Sequence, residues 1–314
     1  MRSLARSRYF RISVTDTCNM SCAFCHNEGQ GQIRKGAVRG LDVASIVWIA
    51  HIAMEEGFRK FKLTGGEPLL RTDICDIVRG LREAGVEELS IITNGTLLDR
   101  LAVPLRRAGL GRVNVSLHSL DPFRLTSEFG GTAVQLRKVV DGIDAAMAAG
   151  FDDMKINFVY GGPHPDRDLG DILSFVAERG LTLVLLPELP FGAAVSSEFV
   201  SLERLHVLLK ARGIEKENQI VDAEGLRKRL IVLRNGARVV LRVDELGERR
   251  PYAACGACRS LPACREGIFP VRLTAIGALR PCLNDGIPET PLTDAIRRRD
   301  AQIVREAMQN FAGF

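Results

Sequence analysis

The chain has 314 residues, 46% hydrophobic and 26% charged, with a formal net charge of +5 at pH 7; this is the profile of an ordinary globular protein, long enough for one large domain or a large and a small one. No run of 18 apolar residues is available to cross a membrane, and the opening MRSLARSRYFRISV lacks the apolar stretch of a secretory signal, so a cytoplasmic protein with no membrane partner is expected. The basic runs at 227–229 and 297–299 are short and read as solvated helix faces rather than a nucleic-acid footprint, while the mild positive balance suits an anionic small molecule.

In chain order, β-rich runs at 9–14, 60–63, 89–93, 112–117, 154–159 and 181–186 predict six strands. Amphipathic stretches at 41–56, 73–84, 133–149 and 169–179 predict helices between them, stopped by Gly57, Gly85, Gly150 and Gly180. Such alternation predicts parallel strands with helical crossovers, here a partial (β/α)6 TIM-type barrel rather than the closed eight-unit form. After about residue 215 the pattern changes. A hairpin is expected over 230–243 around Asn235-Gly236, then a loop rich in Cys, Pro and Gly, a second hairpin over 271–282 around Gly277, and a helix over 292–308. The division expected is a core domain over 1–215 and a small β-rich domain over 216–314, stapled by metal because it has too little apolar pattern for its own core.

Eight cysteines fall as Cys18, Cys22 and Cys25, then Cys75, then Cys255, Cys258, Cys264 and Cys282. Without a secretory signal, the tight spacings read as metal sites rather than disulfides. Cys75 lies in a helical stretch and reads as a buried apolar residue. The run Cys18-x3-Cys22-x2-Cys25 follows the first strand and offers three thiolates, which would leave one iron of a cubane open to a small molecule. Structural zinc with His26 as fourth ligand, or a redox thiol pair, are the alternatives on spacing alone.

The second strand ends in Thr64-Gly65-Gly66-Glu67-Pro68, where two glycines permit close backbone approach to a bound molecule and Pro68 fixes the turn. Glu67 is a candidate to receive an amino group. An ordinary strand-to-helix turn is the plainer reading of these five residues, but C-x3-C-x2-C lies roughly 40 residues upstream. Both motifs sit at the C-terminal ends of predicted strands, where barrel sites are built.

Together, Cys18/Cys22/Cys25 and Gly65/Gly66/Glu67 resemble the radical S-adenosylmethionine (SAM) superfamily. The resemblance implies a [4Fe–4S] cluster on the three cysteines, with the amino and carboxylate groups of SAM on the open iron. It further implies reductive cleavage of SAM to a 5′-deoxyadenosyl radical that abstracts hydrogen from substrate, and an electron donor such as flavodoxin or ferredoxin. The cofactors carry the hard chemistry; the protein orients them.

A closer resemblance is to the molybdenum-cofactor GTP 3′,8-cyclase family, a lyase-type biosynthetic family. It rests on residues 11–16, on Thr93-Asn94-Gly95, on residues 112–117, and on residues 272–275 with 279–283, spanning nearly the whole chain. It implies that Ser116 contacts SAM, alongside Thr93 and Asn94 at the cofactor. It also implies that Arg11, Lys62, Lys155 and Arg272 contact an anionic nucleotide, Lys62 standing where the family has Arg.

Several departures bear on substrate. The family's second cluster has three cysteines, C-x2-C-x13-C, leaving an iron for guanine; here Cys255, Cys258, Cys264 and Cys282 could close all four irons of a second [4Fe–4S] cluster in a twitch- or SPASM-like domain. Structural zinc is the alternative for these four. Pro270-Val271-Arg272 replaces Arg-Leu-Arg, Ile92 replaces a Thr, and residues 311–314 replace a C-terminal Gly-Gly. The expectation is therefore a radical enzyme acting on a small anionic or nucleoside-like substrate, its second cluster serving electron transfer or structure. GTP 3′,8-cyclisation and peptide modification are the alternatives, and a zinc-dependent binding protein is the alternative from another class.

Overall fold

The structure, a computed structural model, describes residues 8–31, 34–38, 40–161, 165–189, 200–221, 227–243, 258, 270–284 and 286–312. The six expected strands are β1 (Arg8–Thr15), β2 (Phe58–Gly65), β3 (Glu88–Thr93), β4 (Arg112–Ser116), β5 (Lys155–Tyr160) and β6 (Thr182–Pro187). All pair in parallel in that order. The four expected crossover helices are α1 (Val43–Glu55), α2 (Ile74–Glu83), α5 (Ala133–Ala148) and α6 (Pro165–Glu178). Asp42 and Thr132 cap α1 and α5 through Ser45 N and Gln135 N. Gly57, Gly85, Gly150 and Gly180 all take positive φ where the helices stop.

Three helices escape the periodicity: α3 (Leu98–Arg107), α4 (Pro122–Phe129) and α7 (Leu202–Ala211). Pro104 lies in the last turns of α3 and reads as a breaker, while Pro122 sits in the first turn of α4, where its missing N–H costs nothing. The expected C-terminal helix is two: α8 (Thr293–Arg298) and α9 (Ala301–Ala312), parted at Arg299 with φ of 56°.

The C-terminal third continues the same sheet at both ends. The hairpin β8 (Arg227–Leu233) and β9 (Arg238–Val243) docks β9 parallel to β6, with β7 (Ile214–Val221) outermost. At the other edge, β10 (Pro270–Leu273) lies parallel to β1, followed by antiparallel β11 (Ala278–Arg280) and β12 (Thr290–Pro291). The resulting order is β12-β11-β10-β1-β2-β3-β4-β5-β6-β9-β8-β7. Eight successive strands, β10 through β9, are parallel, and the sheet remains open among the described residues. Its outer face is sealed by α1, α2 and their neighbours, Ile49 of α1 lying buried with Phe10, Phe58 and Phe61 of the sheet, and Phe10 edge-on to Phe58 at 5.2 Å. The inner face is different: it surrounds a polar cavity.

Candidate active site

The cavity holds about 700 Å³ and collects side chains from all eight parallel strands. Period-two alternation turns Arg112, Asn114 and Ser116 of β4 inward, with His118 just beyond, as it does Lys60, Lys62 and Thr64 of β2. Cys18, Cys22 and Cys25 line the same cavity, as do Gly65, Gly66, Glu67, Thr93 and Asn94. Arg11, Lys62, Lys155 and Arg272 line it too. Pro68 stands behind the wall, opening the short turn Pro68–Leu70.

The cluster loop is fastened by its neighbours. Cys18 is buried, Cys22 and Cys25 half-buried, and the amides of Met20 and Asn27 point at Cys18 Sγ (3.4 Å) and Cys25 Sγ (3.3 Å). Burial, with neighbouring thiols adding to it, pushes the Cys18 thiol up to about 11 and the Cys22 thiol to about 12. Three thiols whose ionisation burial opposes, two of them with N–H donors already aimed at sulfur, form a donor set that a cationic iron–sulfur group satisfies. Among the described residues no three His, Cys, Asp or Glu side chains are placed to hold one metal ion, and Cys18, Cys22 and Cys25 line the cavity together. Cys18, Cys22 and Cys25 would hold a [4Fe–4S] cluster. His26 sits in the cluster loop and also lines the cavity.

Both glycines of the GGEP turn are required, for a reason the sequence did not supply. A Cβ on Gly65 would overlap the Thr15 carbonyl oxygen, and one on Gly66 the Thr17 carbonyl oxygen. Gly66 N and Glu67 N instead donate to those carbonyls, each at 2.8 Å. The close approach is therefore to the backbone that leads into Cys18.

Glu67 has bracing partners of its own. Its buried carboxylate accepts from Leu69 N (3.0 Å), Thr93 Oγ1 (2.7 Å) and Asn94 N (2.6 Å), tying the β2 turn to the end of β3. Burial still pushes its carboxyl up to about 7. The Asn94 amide donates to Asn19 Oδ1 at 2.7 Å and lies 3.9 Å from Cys18 Sγ, so Thr93-Asn94 braces the cluster loop. Ser116 stays open on the cavity wall.

The cations are not equivalent. Arg272, Arg11 and Lys62 are register partners on β10, β1 and β2, one beside the next. Like charges about 5 Å apart repel by roughly 3 kcal/mol at an effective dielectric near 20. Glu28, from the cluster loop, enters this row: it pairs with Arg11, lies 3.4 Å from Arg272 Nε and accepts from Thr64 Oγ1 at 3.0 Å. Burial opposes its ionisation, but Arg11 and Arg272 outweigh that and hold its carboxyl below the usual range. Lys62 has the Tyr9 ring 5.2 Å away and no acceptor among the described residues. Burial, with Arg11 and Arg112 adding to it, pushes its ammonium well down. Lys155 reaches Asp153 at 3.6 Å.

Glu28 and His118 were absent from the expected set. Glu28 follows Cys25 in a loop with no periodicity to expose it. His118 continues the inward alternation of 112, 114 and 116, which was the available signal. Its Nδ1 accepts from Val159 N at 3.1 Å, which leaves the proton of the neutral ring on Nε2, and burial lowers it to about 4.

Of the four C-terminal cysteines, Cys258 and Cys282 converge on Asn284, whose Nδ2 lies 3.7 Å from one sulfur and whose N lies 3.2 Å from the other. Cys255 and Cys264 lie outside the described residues, as do residues 313–314. Cys75 is half-buried against the core. No helix among the described residues is long and apolar enough to cross a membrane.

Comparison with known proteins agrees with this arrangement. Residues 12–176 match the Radical SAM superfamily model. The chain is 34% identical over 307 residues to a probable GTP 3′,8-cyclase of Sulfurisphaera tokodaii, covering 95% of this chain and 90% of that one. It is 30% identical over 278 residues to one from Methanocaldococcus jannaschii, with 88% and 85% covered. Streptococcus suis SuiB bound to S-adenosylmethionine shares the fold at TM-score 0.63 and 15% identity, over 92% of this chain and 64% of that one. This chain thus spans less than two thirds of SuiB. A partial parallel barrel with three cysteines and a GGEP turn at one end of its cavity, and relatives matched over nearly their whole length, make the chain a radical SAM enzyme belonging to the family of the GTP 3′,8-cyclases.

Proposed function

We propose that the enzyme acts on a nucleotide, and that cyclisation of GTP is its reaction. One observation carries this: the three cluster thiols share a cavity with Arg11, Lys62, Lys155 and Arg272. The names of the relatives favour GTP over the changed substrate expected from the sequence departures. When bound, the cluster and SAM supply a carbon-centred radical able to remove a hydrogen atom. The chain's own residues do the rest. Lys62 and Lys155 present positive charge to an anion, Ser116 faces the cofactor end, and the Glu67–Thr93–Asn94 network holds the cluster loop at the strand ends.

Cys255, Cys258, Cys264 and Cys282 are proposed to hold a second [4Fe–4S] cluster in an auxiliary domain over 216–314; the meeting of Cys258 and Cys282 at Asn284 supports it. A flavodoxin- or ferredoxin-type donor would supply electrons. A second reading, a different anionic substrate, is favoured by Ile92 in the cavity wall and by the engagement of Arg11 and Arg272 with Glu28. The test is anaerobic incubation of the reconstituted protein with GTP, SAM and reductant. A 3′,8-cyclised nucleotide is expected; SAM cleavage without that product would give first place to the second reading.

A further inference from the structure

We propose that Glu28 is a built-in counter-anion: its carboxylate occupies the place between Arg11 and Arg272 that an anionic group of the substrate takes, and the substrate must displace it. This rests on the reading of the cavity as an anion-binding substrate site.

Three observations converge on Glu28. Arg272, Arg11 and Lys62 are consecutive register partners, so the fold sets three cations in a row facing the cavity. Uncompensated, that row is costly, and a site for an anion must exist in some form before the anion arrives. Glu28 meets the need from within, reaching both arginines and the Thr64 hydroxyl while leaving Lys62 at the end of the row without an acid of its own. Its backbone takes φ of 54°, unusual for a residue with a side chain, in a loop whose next residue, Gly29, has φ of 80°. The carboxylate thus enters the row from a loop already turned out of ordinary conformation.

Two consequences follow. Glu28 sets specificity, because a ligand gains from Arg11 and Arg272 only what exceeds their contact with the carboxylate. Glu28 also belongs to the loop that carries Cys18, Cys22 and Cys25, so displacing it moves an anchor of the cluster loop. Occupancy of the anion site and the setting of the loop are then linked through one side chain.

The probe is inorganic tripolyphosphate, with binding measured by equilibrium dialysis on reconstituted full-length protein without SAM, so that no turnover enters. Glu28→Gln keeps the size and removes the charge, and it should bind tripolyphosphate about tenfold to a hundredfold more tightly than wild type. Adding Arg11→Gln should cancel most of the gain. Unchanged or weaker binding by Glu28→Gln overturns the inference. If that variant loses iron, Thr64→Val, which withdraws one contact from the carboxylate, decides: tighter binding supports the inference and unchanged binding overturns it. A gain in anion affinity without GTP cyclisation would leave Glu28's role intact and remove the nucleotide. Cyclisation without the gain would do the reverse.

Discussion

Arg11 and Lys62 are direct register partners on β1 and β2, yet only Arg11 meets an acid: Glu28 pairs with it, while Lys62 lies over the ring of Tyr9 at 5.2 Å. The row of cations is therefore compensated at one end and open at the other. That asymmetry gives Lys62 a distinct signature in solution.

Its ammonium is pushed well below the ordinary lysine value, by burial first and by Arg11, Arg112 and Lys155, against an opposing pull from Glu28. Below that lowered value the folded chain carries the full cost of a buried charge. As pH rises towards about 10.4, the unfolded chain keeps a proton the folded chain has released, so stability climbs with pH. Thermal unfolding followed from about pH 7 to about pH 10 should show this climb in wild type and a flatter profile in Lys62→Met. Parallel profiles would mean that Lys62 titrates normally. The same variant should weaken binding of an anionic substrate.

Removing Glu67 should cost stability and cofactor binding together. Glu67→Ala leaves the amides of Leu69 and Asn94 and the Thr93 hydroxyl without their acceptor. Roughly 3 kcal/mol is expected, a fall in melting temperature of about 5–10 °C. SAM affinity should drop about tenfold with iron content unchanged, because the brace on the cluster loop is lost. Calorimetry and equilibrium dialysis on one preparation check both.

Replacing Cys18, Cys22 and Cys25 together with Ala should remove about four irons per chain and abolish 5′-deoxyadenosine formation. Iron analysis and product chromatography measure these directly. Persistence of 5′-deoxyadenosine in the triple variant would exclude these thiols from the reaction.

Gly66→Ala should be among the most damaging small substitutions in the chain. Its methyl group has no room beside the Thr17 carbonyl, and the Gly66 N–H bond to Thr15 O would be disturbed as well. Overpacking of this kind costs about 1–3 kcal/mol or more. Melting temperature and retained iron should both fall, whereas Gly85→Ala, which has open space but positive φ, should cost less and leave iron unaffected.

The six barrel strands were legible because each is a short run rich in apolar residues, and four amphipathic stretches stopped by Gly57, Gly85, Gly150 and Gly180 punctuate them, a purely local signal. The cysteines and the GGEP turn were legible because their chemistry is compressed into a few adjacent residues. What lay hidden depends on contacts between distant segments. The parallel placement of β10 beside β1 and of β9 beside β6 has no sequence period. The reason for Gly65 and Gly66, the Thr15–Thr17 backbone, lies about 50 residues away in the chain. Glu28 shows the same limit: nothing local marks an acid that works by reaching Arg11 and Arg272.

The pairing of β10 with β1 also governs the order in which the molecule can be finished. Arg272 and Arg11 stand side by side, yet most of the described chain lies between them in sequence. During synthesis, the cysteine loop and the GGEP turn emerge with β1 and β2, long before their neighbour β10 exists. The wall carrying Arg272 can be hung only after the whole run of barrel strands has been made, a long-range closure of the kind that slows folding. In a growing chain the thiol loop is thus complete before the row of cations beside it is whole.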